Sequence, residues 1–152
     1  MAVDGTAGPF EAATGDGPAL GGPDREAAVL AAFDGLLRIR RVMAGPDAAS
    51  RPAEWERSRP VRAVAIALEA SGIEPSALDE EGRRCARGYR VSAAGPPTSV
   101  RVEWLGPPGS GAQYTASEAL RRCAEVLGPL GWLALEYRGP GRHHYLEVEP
   151  AG

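Results

Sequence analysis

Two adjacent histidines, His143 and His144, are the only imidazoles in the chain and its first candidates for acid–base chemistry. On a strand, neighbouring side chains point to opposite faces, so the two rings are not expected to share a metal ion. His143 and Glu147 would share a face, but a metal site needs further ligands, and we predict no metal and no cofactor. With Ser117 or Cys123, His143 could form a small hydrolase site, although Cys123 is predicted on the apolar face of a helix.

The glycine-rich loop over residues 106–111 lies between a predicted strand and a predicted helix, where phosphate-binding loops occur. Ala112 and Gln113 follow it, in place of the Lys and Ser/Thr of a Walker A loop. Pro107 and Pro108 remove amides that would bind an anion, so we interpret the segment as a connector. The chain has no lysine, which excludes Schiff-base and lysine-dependent nucleotide chemistry. These absences favour a protein that is not an enzyme.

Arginine supplies all 17 permanent cations. Two stretches hold arginines without any acid, one between Gly82 and Val102 and the other between Tyr137 and Leu146. If two hairpins bring these stretches together, arginines beside tyrosines could bind single-stranded nucleic acid. The alternative is a solvated sheet face on which arginines pair with glutamates across strands. The residues that would form this candidate surface are Arg83, Arg84, Arg87, Arg90, Arg101, Arg138, Arg142 and His143.

Trp55 stands alone in a charged connector, where it would either plug an edge of the core or anchor an interface. The net charge of −3 gives no strong field toward nucleic acid or membranes. The sequence has no apolar run long enough to span a bilayer and no secretory signal, so we expect a cytoplasmic protein with no membrane partner. Abundant glycine and arginine without lysine are typical of a high-GC genome.

The 152 residues predict one domain preceded by a tail. Residues 1–23 are mostly small and polar and offer little to bury, so we predict a disordered tail there. Residues 24–152 are predicted to form a single α+β domain, because helical and strand periodicities succeed each other within them.

The region 24–87 is predicted to be mainly helical. Apolar residues recur at helical spacing over 24–44 and again from Pro60 to Gly72. A third, short helix is predicted over 76–87, although Gly82 within it weakens the helical propensity.

The region 88–149 alternates with a period of two and is predicted to be a β-β-α-β-β unit. Its four strands would form a mainly antiparallel sheet with helices on one face. Thr115 and Glu118 resemble a capping box that begins the helix, and Gly128 ends it.

One face of this sheet is predicted to be apolar, with Leu133, Leu135 and Tyr137 on its third strand. The helix would cover that face, while arginine and glutamate would interleave on the other.

The sequence therefore favours a small binding or adaptor protein that acts through a sheet face or edge. The expected partner is another protein or a second copy of the chain. A nucleic-acid-binding accessory protein and a small hydrolase centred on His143 are the alternatives. The order of these elements is similar to that of small chaperone-like and adaptor folds, a likeness of architecture alone.

Overall fold

The computed structural model describes residues 10–45 and 49–151, with the exception of the side chain of Arg142, and has the predicted α+β fold. Its helices in this part of the chain are α1 (Arg25–Ala44), α2 (Glu54–Ser58), α3 (Pro60–Ala70) and α4 (Ala112–Leu127). Its strands are β1 (Ala77–Leu78), β2 (Arg84–Ala86), β3 (Gly88–Ala93), β4 (Val100–Leu105), β5 (Trp132–Arg138) and β6 (His144–Pro150). None of the helices described is both long and apolar enough to cross a bilayer.

The main sheet has the strand order β3-β4-β6-β5, and every neighbouring pair is antiparallel. The two predicted hairpins are therefore present, and β4 and β6 join them. Helices α3 and α4 pack on one face of this sheet. Val64 of α3 and Leu120 of α4 are fully buried in the same core as Val102 and Leu146 of the central strands. Helix α1 lies against α3 and completes the helical side.

A buried ion pair joins α1 and α2 to the turn after α4. Arg40 donates from Nε and Nη2 to the two carboxylate oxygens of Glu56, at 2.8 and 2.7 Å. The remaining nitrogen, Nη1, donates to the carbonyls of Ala49 and Leu130, both at 2.8 Å. Glu56 also accepts the amide of Ala53 at 3.0 Å. Arg40 and Glu56 are only 1% and 0% exposed, so this pair is a structural junction.

Residues 1–23 are predicted to be a disordered tail, but the structure places residues 10–20 of this segment against the domain. We call residues 10–20 the N-terminal strap. The buried hydroxyl of Tyr89 donates to the carbonyl of Ala13 at 2.8 Å. Composition misses such a segment because backbone carbonyls, rather than apolar side chains, make much of its attachment. Residues 1–9 lie outside the described residues.

The strap and the segment before β1 together close the β3 edge of the sheet. The amide of Val91 donates to the carbonyl of Thr14 at 2.7 Å. The amide of Tyr89 donates to the carbonyl of Glu74 at 3.0 Å, and its carbonyl accepts the amide of Ser76 at 2.9 Å. This edge is thus hydrogen-bonded to the chain's own backbone and is not open to another strand.

The predicted helix over 76–87 is wrong, because β1 and β2 form a small antiparallel hairpin there. Asp79 initiates its turn, since Oδ1 accepts the amides of Glu81 at 3.0 Å and Arg83 at 2.9 Å. Gly82 supplies a φ of +80°, which a helix does not accommodate. Side-chain bonding to the local backbone therefore competes successfully with helix formation.

Helix α4 begins earlier than its predicted capping box. Gly111 precedes the helix with a φ of +77°, and Ala112 is the first helical residue. Thr115 therefore lies inside the first turn, where its hydroxyl donates to the carbonyl of Ala112 and accepts from the indole of Trp104, both at 3.2 Å. The predicted end at Gly128 is confirmed.

Candidate interaction surface

The side of the main sheet that faces away from α3 and α4 is not covered by any helix described, and we call it the outer face. Side chains cross it in rows, because the four strands are in register. The first row consists of Arg90, Glu103, Tyr145 and Tyr137. The second consists of Ser92, Arg101, Glu147 and Leu135, and the next pair on β6 and β5 is Glu149 and Leu133.

Asp16 of the N-terminal strap binds two of the candidate arginines. Arg90 Nε donates to one carboxylate oxygen at 2.8 Å, and Arg84 Nη2 donates to the other at 3.0 Å. Burial alone would raise the pKa of Asp16, but hydrogen bonds and charges from Arg90 and Arg84 outweigh it and hold the pKa below its usual value. Arg84 also donates to the carbonyl of Gly15 and to Ser76 Oγ. Both arginines thus fasten the strap.

We expect the strap to loosen in acid, with Asp16 as the trigger. Because the pKa of Asp16 is lower in the folded state, its contribution to stability is complete above the unfolded pKa and disappears as the pH falls through the folded pKa. The amides of Leu78 and Val91 donate to the strap carbonyls of Gly17 and Thr14. Their protection factors, measured by hydrogen exchange and corrected for intrinsic rates, should fall over that range.

Asp16→Asn should lower this protection at neutral pH and flatten its acid dependence. Asp34→Asn is the matched control, since it removes an exposed ion pair with Arg38 on α1. An unchanged acid profile in Asp16→Asn would contradict the assignment.

Glu103 brings together the two arginine-rich stretches. Its Oε1 accepts Arg90 Nη1 at 3.1 Å, and its Oε2 lies 2.6 Å from His143 Nε2. Arg101 places its guanidinium 4.0 Å from the ring centroid of Tyr145 and is paired in register with Glu147. Arg90, Arg101 and His143 therefore all lie on the outer face. Arg90 and His143 each contact a carboxylate, whereas Arg101 lies over the ring of Tyr145.

The other candidate residues are placed elsewhere or only at the rim. Arg83 lies in the β1–β2 turn, Arg87 is exposed just before β3, and Arg138 is exposed at the end of β5. The side chain of Arg142 lies outside the described part of the structure. Trp55 belongs to α2 and packs partly buried against the core, and its indole nitrogen has no hydrogen-bond partner among the described residues.

The prediction that Leu133, Leu135 and Tyr137 lie on the helix-covered face of the sheet is wrong. The structure turns Trp132, 2% exposed, toward the helices and leaves Leu133, Leu135 and Tyr137 on the outer face at 42%, 45% and 44% exposure. The second hairpin decides this, because its turn pairs Ala134 with the buried Val148. Strand alternation alone does not tell which side of β5 faces the helices, but the pairing register set by the turn does. We call these three exposed residues of β5 the apolar row.

The structure does not place Ser117 or Cys123 beside His143, as the hydrolase hypothesis requires, because His143 Nε2 lies against Glu103 and Ser117 Oγ against Glu136. Burial raises the pKa of the Cys123 thiol to about 12, so it stays protonated in the core. Ser117 Oγ donates to Glu136 at 3.3 Å, and His144 Nδ1 lies 2.8 Å from the same carboxylate oxygen. The serine thus faces a carboxylate instead of an imidazole. No group of three or more potential metal ligands occurs in the described part of the chain.

Comparison with known proteins adds no relative. No family model, curated protein or solved structure matches this chain.

Proposed function

We propose that this chain is a non-catalytic binding or adaptor protein that holds a protein partner on its outer face. The observation that supports this most is the apolar row, whose three large side chains are each more than two-fifths exposed side by side. Contiguous apolar groups on the surface of a folded protein mark interaction sites more often than chance exposure does.

The neighbours of the apolar row define the kind of partner. Tyr137 and Tyr145 stack with ring centroids 5.8 Å apart, and tyrosine is enriched at the energetic centres of interfaces. Arg101 and Glu147 lie beside them with opposite charges. Such a surface fits a protein that presents an apolar anchor ringed by charges of both signs.

Nucleic acid is the competing partner, since arginines and tyrosines share this face. Phosphate groups would have to displace the carboxylates that already pair with Arg90. Arg90 contacts both Asp16 and Glu103. The charge arrangement therefore supports a protein partner over a polyanion.

The test is site-specific photo-crosslinking in the native cells. A photoreactive phenylalanine at Tyr137 should capture a defined protein, because that position lies in the apolar row. The same probe at Tyr114 is the matched control, since this tyrosine is 85% exposed on α4 and away from the outer face. We expect, at 137 alone, an adduct whose mass shows a protein other than a second copy of this chain.

Tyr145→Thr should abolish that adduct while the fold is kept, because threonine suits a strand and removes the aromatic surface. Adducts that are identical at 137 and 114, or that survive Tyr145→Thr, would contradict the proposal. A crosslinked, salt-sensitive nucleic acid at 137 would favour the alternative partner.

A further inference from the structure

The two edges of the main sheet differ, and the difference points to a second binding element. The β3 edge is closed by the strap and by the segment at Glu74–Ser76. Strand β5 pairs with β6 along its whole length without a bulge. Within residues 10–45 and 49–151, no other segment pairs with the outer edge of β5. It also lacks proline, one of the common means of blocking an edge.

In an antiparallel ladder, alternate residues of a strand direct their amides and carbonyls to opposite sides. This alternation shows which peptide groups of β5 point away from β6. The second hairpin is closed by Gly139 N donating to His143 O, and its far end by Ala151 N donating to Gly131 O. Odd-numbered residues of β5 therefore bond to β6, and even-numbered residues direct their amides and carbonyls outward. These outward residues are Trp132, Ala134, Glu136 and Arg138.

We propose that a second copy of this chain occupies the β5 edge, antiparallel to it, with Leu135 opposite Leu135 of the other copy. This goes beyond the proposed function, because the backbone of the strand edge makes the contact and the outer-face surface of each copy stays open to the protein partner. In that register Leu133 of each copy lies opposite Tyr137 of the other, so the apolar rows meet side by side. The outward peptide groups of Ala134 in each copy then pair with those of Glu136 in the other copy.

The sequence of β5 favours this register over its neighbours. Centring on Glu136 would place two glutamates directly opposite each other, which is unfavourable. Centring on Ala134 would move Tyr137 opposite Gly131 and take Arg138 beyond the end of the partner strand. The register centred on Leu135 uses the whole strand and leaves no like charges directly opposite.

The result is a continuous eight-stranded sheet, built from two four-stranded sheets. Its two-fold axis passes between the apolar rows, so the interface is of the isologous kind that most homodimers use. Each closed β3 edge lies at an outer end, and the assembly stops at two copies.

Sedimentation of the full chain over a concentration series tests the dimer. Leu135→Lys and Leu135→Glu should each raise the dimer dissociation constant at least roughly tenfold, because like charges meet at the two-fold axis. An equimolar mixture of the two variants should restore the dimer as a heterodimer. Tyr114→Glu is the control for adding an exposed charge and should sediment as the wild type.

Ala134→Pro separates the edge from the outer face. It removes an outward amide but no bond to β6, and it changes no outer-face side chain. We expect a folded monomer by circular dichroism and sedimentation that still gives the partner adduct at 137.

A wild-type chain that stays monomeric at high concentration would overturn the proposal, as would a mixture of charge variants that fails to pair. An Ala134→Pro variant that remains dimeric would also overturn it. A monomer whose β5 edge crosslinks to a different protein would assign the edge to that protein. An adduct at 137 that contains only a second copy of this chain reports the dimer, and an adduct with a different protein reports the outer face, so the two proposals fail separately.

Discussion

Replacing Arg40 by alanine is expected to lower the free energy of unfolding by about 3–5 kcal/mol, the largest single effect we foresee. The change leaves the carboxylate of Glu56 buried without its cation. It also removes the donor to the carbonyls of Ala49 and Leu130. Urea unfolding followed by circular dichroism measures the loss.

Two further variants make this prediction specific. Arg38→Ala removes an exposed pair with Asp34 on the same helix and should lower the free energy of unfolding by no more than about 0.5 kcal/mol. The double variant Arg40→Met/Glu56→Leu removes both charges and should lie within about 2 kcal/mol of the wild type. A single Arg40→Ala variant as stable as Arg38→Ala would show that the pair is not a structural junction.

Gly131→Ala should be the second most damaging change, at roughly 2–5 kcal/mol. Gly131 has a φ of +92°, and left-handed backbone costs a residue with a Cβ about 1–2 kcal/mol. The added Cβ would also overlap the carbonyl oxygen of Ser50 and lie 2.8 Å from Pro52 Cδ. Overpacking of this kind costs a further 1–3 kcal/mol or so.

Gly109→Ala is the matched control for that substitution. Gly109 has a similar φ of +84°, but its Cβ would meet no atom within 4 Å. The control therefore includes the backbone strain and excludes the clash, and it should destabilise the protein by only about 1–2 kcal/mol. Equal thermal midpoints for the two variants would mean that the loop around Ser50 moves aside.

The elements with strong local signals were predictable from sequence. The alternation on either side of two glycine–proline turns gives both hairpins, and the end of α4 follows from Gly128. The pattern at Thr115 predicts a start of α4 that is one turn late, because Thr115 resembles a capping residue but bonds inside the helix. Local capping patterns do not reveal which turn of a helix they occupy.

The composition of the outer face was not predictable, because strand periodicity does not tell which side of a strand faces the core. Alternation separates Leu133 from Trp132 but does not say which one faces the helices, and only pairing with Val148 decides it. In the sequence, Arg40 is one of three arginines near the end of α1, with Arg38 and Arg41. Its burial depends on Glu56 and on Leu130, which lies 90 positions away in the sequence.

The strap also imposes an order of events on biosynthesis. The hydrogen bond from Tyr89 to Ala13 spans 76 positions, and that from Arg84 to Asp16 spans 68. A ribosome delivers the strap well before β3, and domains assemble as their segments emerge. The strap is therefore synthesised before β3 but can bind only after β3 has formed.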